Sequence, residues 1–112
     1  MSRVLVVEDS EPLGRMLTQT LTRAGHDAAW APTGSAAVEL AASAPPDVVL
    51  LDLHLGDVPG TDLAAHLRAA VPTCRVVGVS GAAPDAGAAG QFDAFLLKPV
   101  ALDALLAVVA GS

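Results

Sequence analysis

Val48-Val49-Leu50-Leu51 is an unbroken apolar run that ends on a carboxylate, Asp52. Four such residues with no polar alternation fit a strand covered on both faces, the condition of a strand inside a parallel sheet. The pattern recurs. Val4–Val7 ends at Glu8-Asp9, Arg75–Ser80 is a second strong run, and Ala94–Leu97 ends at Lys98-Pro99. Ala28–Ala31 is a weaker strand and contains Trp30. Between the runs lie helical patterns with punctuation at both ends. Asp9-Ser10-Glu11-Pro12 reads as a helix start, and Leu13, Met16, Leu17, Thr20, Leu21 and Ala24 follow at helical spacing before Gly25. Pro32-Thr33-Gly34-Ser35 turns into a helix through about Ala44, stopped by Pro45-Pro46. Leu53 to Gly60 is a loop, a helix runs from about Thr61 to Ala70, and Pro99 opens a last helix through about Ala110. Strands alternating with helices predict an α/β fold, a parallel five-stranded sheet with helices on both faces.

At 112 residues the chain fits one domain, taken as 1–112. Hydrophobic residues are 53% and aromatics only 3%, so the core is aliphatic and alanine-rich. The net charge of -6 argues against nonspecific nucleic-acid or anionic-membrane binding and suits holding a cation. Cys74 is the sole cysteine, which excludes an intrachain disulfide and argues against a cysteine-based zinc site. The N-terminal run meets a carboxylate at Glu8, too soon for a secretory signal, and no apolar run approaches the ~20 residues of a membrane span. The expectation is a soluble cytoplasmic protein.

Ligands of open α/β sheets bind beyond the carboxyl ends of the strands, where the strand order reverses. Those ends carry Glu8-Asp9, Asp52, Ser80 and Lys98-Pro99. Each alone has an ordinary explanation as a helix start, a cap or a turn. Together they converge on one rim. Close carboxylate pairs there repel by a few kcal/mol at an effective dielectric near 20. Such a cluster needs cations, and Lys98 plus a divalent ion answer that need. An all-oxygen donor set suits Mg²⁺.

Val4-Leu5-Val6-Val7-Glu8-Asp9, Val48-Val49-Leu50-Leu51-Asp52-Leu53, Val79-Ser80-Gly81 and Phe95-Leu96-Leu97-Lys98-Pro99 resemble, in order, the sequence blocks of the response-regulator receiver domain. Gly60, eight residues after Asp52, falls where that family usually has a glycine. The resemblance implies a flavodoxin-like (βα)5 three-layer sandwich with strand order 2-1-3-4-5, the common doubly wound order of such folds. It implies that Asp52 accepts a phosphoryl group from a phosphohistidine on a histidine kinase or histidine phosphotransfer protein. Asp9, Asp52 and the His54 backbone carbonyl would bind Mg²⁺, with Glu8 assisting through water. Lys98 and Ser80 would contact the phosphoryl group, and Phe95 would move inward as Ser80 shifts. The domain would catalyse its own phosphorylation and dephosphorylation, without independent enzyme activity, and so switch a surface read by a downstream protein.

The chain also departs from the family pattern. Only 18 positions separate Ser80 from Lys98, and Gly81–Gln91 holds Pro84, Gly87 and Gly90. The predicted fourth helix is therefore shortened or irregular. His54 follows the phosphoacceptor by two positions and is either a proton carrier or a solvated loop residue; His26 and His66 are expected at the surface. In the last helix Leu102, Leu105, Leu106 and Val109 form one apolar stripe, and Ala101, Ala104 and Val108 a second face. That face either forms a dimer or consists of alanines that tolerate exposure. Pro12, Leu13 and Met16 are candidates for docking the phosphodonor, or serve the core.

The leading expectation is a single-domain regulator in two-component signalling. A receiver-like scaffold working without phosphate, or a receiver excised from a hybrid kinase or larger regulator, are the alternatives. A haloacid-dehalogenase-type phosphatase wants a second Asp where His54 stands, and flavodoxin and Rossmann proteins need phosphate loops that Glu8-Asp9-Ser10-Glu11 does not provide.

Overall fold

The computed structural model describes residues 2–81, 90 and 92–110. The strands are β1 (Arg3–Val7), β2 (Asp27–Ala31), β3 (Val48–Asp52), β4 (Arg75–Ser80) and β5 (Ala94–Leu97). All pair in parallel, in the order β2-β1-β3-β4-β5. The sheet order is the one the family resemblance implies. The helices among the described residues are α1 (Glu11–Arg23), α2 (Gly34–Ser43), α3 (Gly60–Ala70) and α4 (Leu102–Ala110). The irregular helix expected between β4 and β5 falls almost wholly outside the described residues.

Alternation along the strands splits the interior into two cores. Leu5, Val7, Val49, Leu51 and Val76 pack with Leu63, Ala64 and Leu67 of α3 and with Ala37 and Ala41 of α2. Val4, Val6, Val48, Leu50, Val77 and Val79 pack with Leu17 and Leu21 of α1 and Leu105 and Val109 of α4. Every residue of β3 is buried, as the unbroken apolar run requires. Full burial of one such aliphatic side chain contributes roughly 1.5–3 kcal/mol.

The helix starts follow their capping chemistry. Ser10 caps α1, its Oγ accepting from Leu13 N at 3.5 Å, and Thr33 caps α2, its Oγ1 accepting from Ala36 N at 3.1 Å. Gly25, with φ +96°, ends the α1 region in the left-handed conformation that glycine adopts without steric cost.

Three expectations need correction. The last helix begins at Leu102 rather than at Pro99; Val100 turns into the core, and the helical ladder starts with Leu105 N donating to Ala101 O at 3.0 Å. Leu102, placed on the buried stripe by spacing, is 47% exposed because it lies at the first turn, beyond the edge of the core. His26 is not a free surface residue: it is half-buried, and its Nδ1 accepts from Ser2 N at 3.1 Å. His66 is exposed, as expected. Ala101 and Ala104 of the second α4 face are exposed, whereas Val108 packs partly on the core. Pro12 and Met16 are exposed, and Leu13 is partly buried against the core.

Candidate functional site

The apolar strands deliver their polar terminal residues to one rim of the sheet. Asp52 is the last residue of β3 and is 2% exposed; Glu8 directly follows β1 and is 1% exposed. Asp9 is exposed beside them. One carboxylate oxygen from each of Glu8, Asp9 and Asp52 lies within 4.8 Å of the other two. Lys98, directly after β5, places Nζ 3.1 Å from Glu8 Oε1 and 3.4 Å from Asp52 Oδ2. The residues separated by up to 90 positions in sequence thus meet because parallel strands end on the same side.

The backbone fixes these groups further. His54 N donates to Asp52 Oδ1 at 3.0 Å, and Ser10 N donates to Glu8 Oε2 at 3.2 Å. Lys98 N donates to Ser80 O at 2.8 Å, which anchors the lysine to the end of β4. The Lys98–Glu8 contact is ionic rather than a directed hydrogen bond, so Glu8 Oε1 has no hydrogen-bond donor among the described residues.

Burial and the neighbouring Asp52 push the Glu8 carboxyl up to about 7. Burial also works against the Asp52 carboxylate, but the Glu8 proton, the His54 N–H and Lys98 outweigh it and hold Asp52 below the usual range. Two buried carboxyls beside one ammonium share a proton near neutrality, and it resides on Glu8. Burial opposes the charge of Lys98, yet Glu8 and Asp52 raise its basicity. Lys98 stays an ammonium.

A divalent ion fits this donor set. Carboxylate oxygens from Glu8, Asp9 and Asp52 gathered within 4.8 Å of one another are the hard oxygen donors that Mg²⁺ takes, an ion that usually keeps several waters in its shell. A cation there would also offset the negative charge of the clustered carboxyls.

Ser80 is 3% exposed, and its Oγ lies 3.4 Å from His54 Nε2. His54 is exposed overall, so its ring leans from the loop over the rim. Phe95 pairs in register with Gly78, two residues before Ser80. Its ring lies 5.0 Å from that of Phe92 at 56°, and a Cβ on Gly78 would stand 2.7 Å from Phe95 Cε1. Phe95 is thus half-buried in a slot that exists because residue 78 has no side chain.

The loop from Leu53 to Pro59 is pinned at both ends. A Cβ on Gly60 would lie 3.0 Å from Leu53 Cα, so glycine permits that close approach. Asp57 accepts from Gly34 N at 3.0 Å and Ser35 N at 3.2 Å, at the start of α2. The Gly34 N–H beside it holds the Asp57 carboxyl below its ordinary range. Sequence reasoning missed this tether, and missed Trp30, whose Nε1 donates to the Glu8 carbonyl at 2.8 Å. A lone tryptophan in so aromatic-poor a chain was the signal available for the second. Asp57 offers no local signal.

Fold and rim together define a flavodoxin-like domain of the receiver class. The chain belongs to the response regulator receiver domain family, which it matches over residues 4–110, and it is a receiver domain of two-component signalling. It is 38% identical over 115 residues to the transcriptional regulatory protein KdpE of Mycobacterium tuberculosis, covering 96% of this chain and 49% of that protein. The chain thus spans about half the length of that regulator. A response regulator receiver domain (CheY-like) from Methylobacillus flagellatus superposes with a TM-score of 0.91 at 28% identity, covering 99% of this chain and 98% of that one. A response regulator from Burkholderia pseudomallei, with a phosphorylated aspartic acid, calcium ion and citrate, gives 0.86 at 29% identity, over 96% of this chain and 65% of that one. No described helix is long and apolar enough to cross a membrane.

Proposed function

We propose that the domain accepts a phosphoryl group on Asp52 from a phosphohistidine of a histidine kinase or phosphotransfer protein, and that this changes a surface read by a downstream protein. The observation that carries the reading is the buried Asp52 carboxylate held between the His54 N–H and Lys98, with Glu8 and Asp9 beside it. Asp9, Asp52 and the His54 carbonyl would hold Mg²⁺, with Glu8 assisting through water. The ion supplies charge neutralisation to the incoming phosphoryl oxygens.

An Asp52 oxygen attacks phosphorus and forms an acyl phosphate as the P–N bond to the donor imidazole breaks. The electron pair of that bond stays on the ring nitrogen, which takes up a proton. Lys98, already beside Asp52, balances the charge that arrives. The Ser80 hydroxyl donates to a phosphoryl oxygen, which competes with its contact to His54. Displacement of Ser80 alters the floor beside Phe95, two residues down the same face. The phosphorylated aspartic acid of the Burkholderia pseudomallei regulator supports this chemistry on a related fold.

The test is incubation with acetyl phosphate and Mg²⁺, read by intact mass and by trapping of the acyl phosphate. Asp52 gains one phosphoryl group, the Asp52→Ala variant gains none, and chelation abolishes labelling. An unlabelled wild-type protein under these conditions leaves a phosphate-independent scaffold as the function.

A further inference from the structure

We propose that Trp30 is a positioning residue for the divalent-ion site, through the peptide that joins Glu8 to Asp9. The inference rests on the metal-binding reading above. That peptide carries two of the three clustered carboxylates, so its plane decides where both side chains start. Glu8 is held to β2 from both sides: Glu8 N donates to Ala31 O at 3.1 Å, and the Trp30 indole N–H donates to Glu8 O at 2.8 Å. The first bond continues the sheet ladder. The second comes from a side chain and orients the carbonyl where the ladder ends.

The indole has a built seat. Gly14, buried in the first turns of α1, lies directly beneath it: a Cβ there would stand 2.6 Å from Cε2 and 2.8 Å from Cδ1, and closer still to Nε1. The indole is also partly buried against the core that Leu17 and Leu21 of α1 help to form. A half-buried ring clamped in this way has little freedom to turn its N–H elsewhere. Ser10 N and Lys98 hold the Glu8 carboxyl at its far end, but neither orients the peptide from which the Glu8 and Asp9 side chains both start. The bond from Trp30 orients that peptide and keeps the donor oxygens within reach of one ion.

Phenylalanine at position 30 keeps most of the ring and removes the N–H. Loss of one neutral hydrogen bond predicts a roughly three- to tenfold weaker site. The experiment measures Mg²⁺ and Mn²⁺ binding by calorimetry, and the Mg²⁺ dependence of acetyl phosphate labelling, for wild type, Trp30→Phe, Gly14→Ala and Val109→Ala. The expected result is that Trp30→Phe and Gly14→Ala shift the half-saturating Mg²⁺ concentration upward by that factor while the labelling rate at saturating Mg²⁺ matches wild type. Val109→Ala, a core truncation remote from the rim, lowers the thermal midpoint and leaves half-saturation unchanged. A Trp30→Phe protein with wild-type half-saturation overturns the role of Trp30, as does one with a lowered maximum and no shift. If wild type itself binds no ion, the metal-site reading falls and this inference with it. If wild type binds the ion but is not labelled, the calorimetric shift alone decides for or against Trp30.

Discussion

Glu8→Gln isolates the proton that the buried carboxyl pair shares. In the folded chain Glu8 is pushed up to about 7, against an ordinary value of 4.5 for the unfolded chain. Between these values the folded state binds a proton that the unfolded state has released. The Glu8 contribution to stability is therefore fully present below about 4.5, falls as pH rises through the interval, and is gone above about 7. A difference of about 2.5 units, 7 less 4.5, corresponds to about 3 kcal/mol for an isolated group. Because Asp52 and Lys98 readjust as Glu8 ionises, the expected loss across the interval is on the order of 1–3 kcal/mol. Asp52, held low, acts in the opposite sense: its contribution is present above its ordinary 3.8 and is lost only as pH falls through a still lower value. The two windows do not overlap. Urea unfolding with a chelator present, from about pH 5 to about pH 8, measures the slope directly. Wild type loses stability across this range and Glu8→Gln does not. Parallel slopes in the two proteins would falsify the assignment of the shared proton to Glu8.

His54→Ala removes the ring that sits 3.4 Å from Ser80 Oγ; the acyl phosphate lifetime lengthens by about fivefold, the worth of one hydrogen bond, with the labelling rate changed less. Time courses of decay after removal of acetyl phosphate check this, and an unchanged lifetime retires His54 as a contributor. Gly78→Ala drives a methyl into the Phe95 ring and costs about 1–3 kcal/mol. Pairing it with Phe95→Ala in a double-mutant cycle recovers most of that loss, whereas additive losses refute the steric account. Asp57→Ala removes the acceptor for Gly34 N and Ser35 N and lowers the thermal midpoint by a few degrees. A midpoint equal to wild type shows that water replaces the carboxylate at no cost.

Strands were legible because apolar runs such as Val48–Leu51 mark themselves without any long-range knowledge, and β4 and β5 begin and end where the pattern breaks. The rim residues were legible for a related reason: each polar group follows such a run immediately, and parallel pairing does the rest. The start of α4 was not, because Pro99 is a good first-turn residue by rule, while the inward packing of Val100 that delays the helix depends on tertiary structure. The same limit hid Leu102, whose spacing matched the buried stripe although the core ends short of it. Asp57 to Gly34 and Trp30 to Glu8 span 23 and 22 positions; the lone tryptophan draws the eye in the second case, but nothing local in either segment names the partner.

The alternation of the strands has one more consequence. Glu8, Asp52 and Lys98 continue the rows of Val6, Leu50 and Leu96, which face α1 and α4, whereas Ser80 continues the row of Val76 and Gly78, which faces α3 and the Phe92–Phe95 pair. The charged cluster therefore stands above one hydrophobic compartment and Ser80 above the other. The sheet acts as a bulkhead between them, bridged at its top edge by the bond from Lys98 N to Ser80 O and along β5 by the chain joining Phe95 to Lys98. On the proposed function, substitutions packed under Glu8, Asp52 and Lys98 would act on phosphoryl and ion binding, and those packed under Ser80 on the response at Phe95.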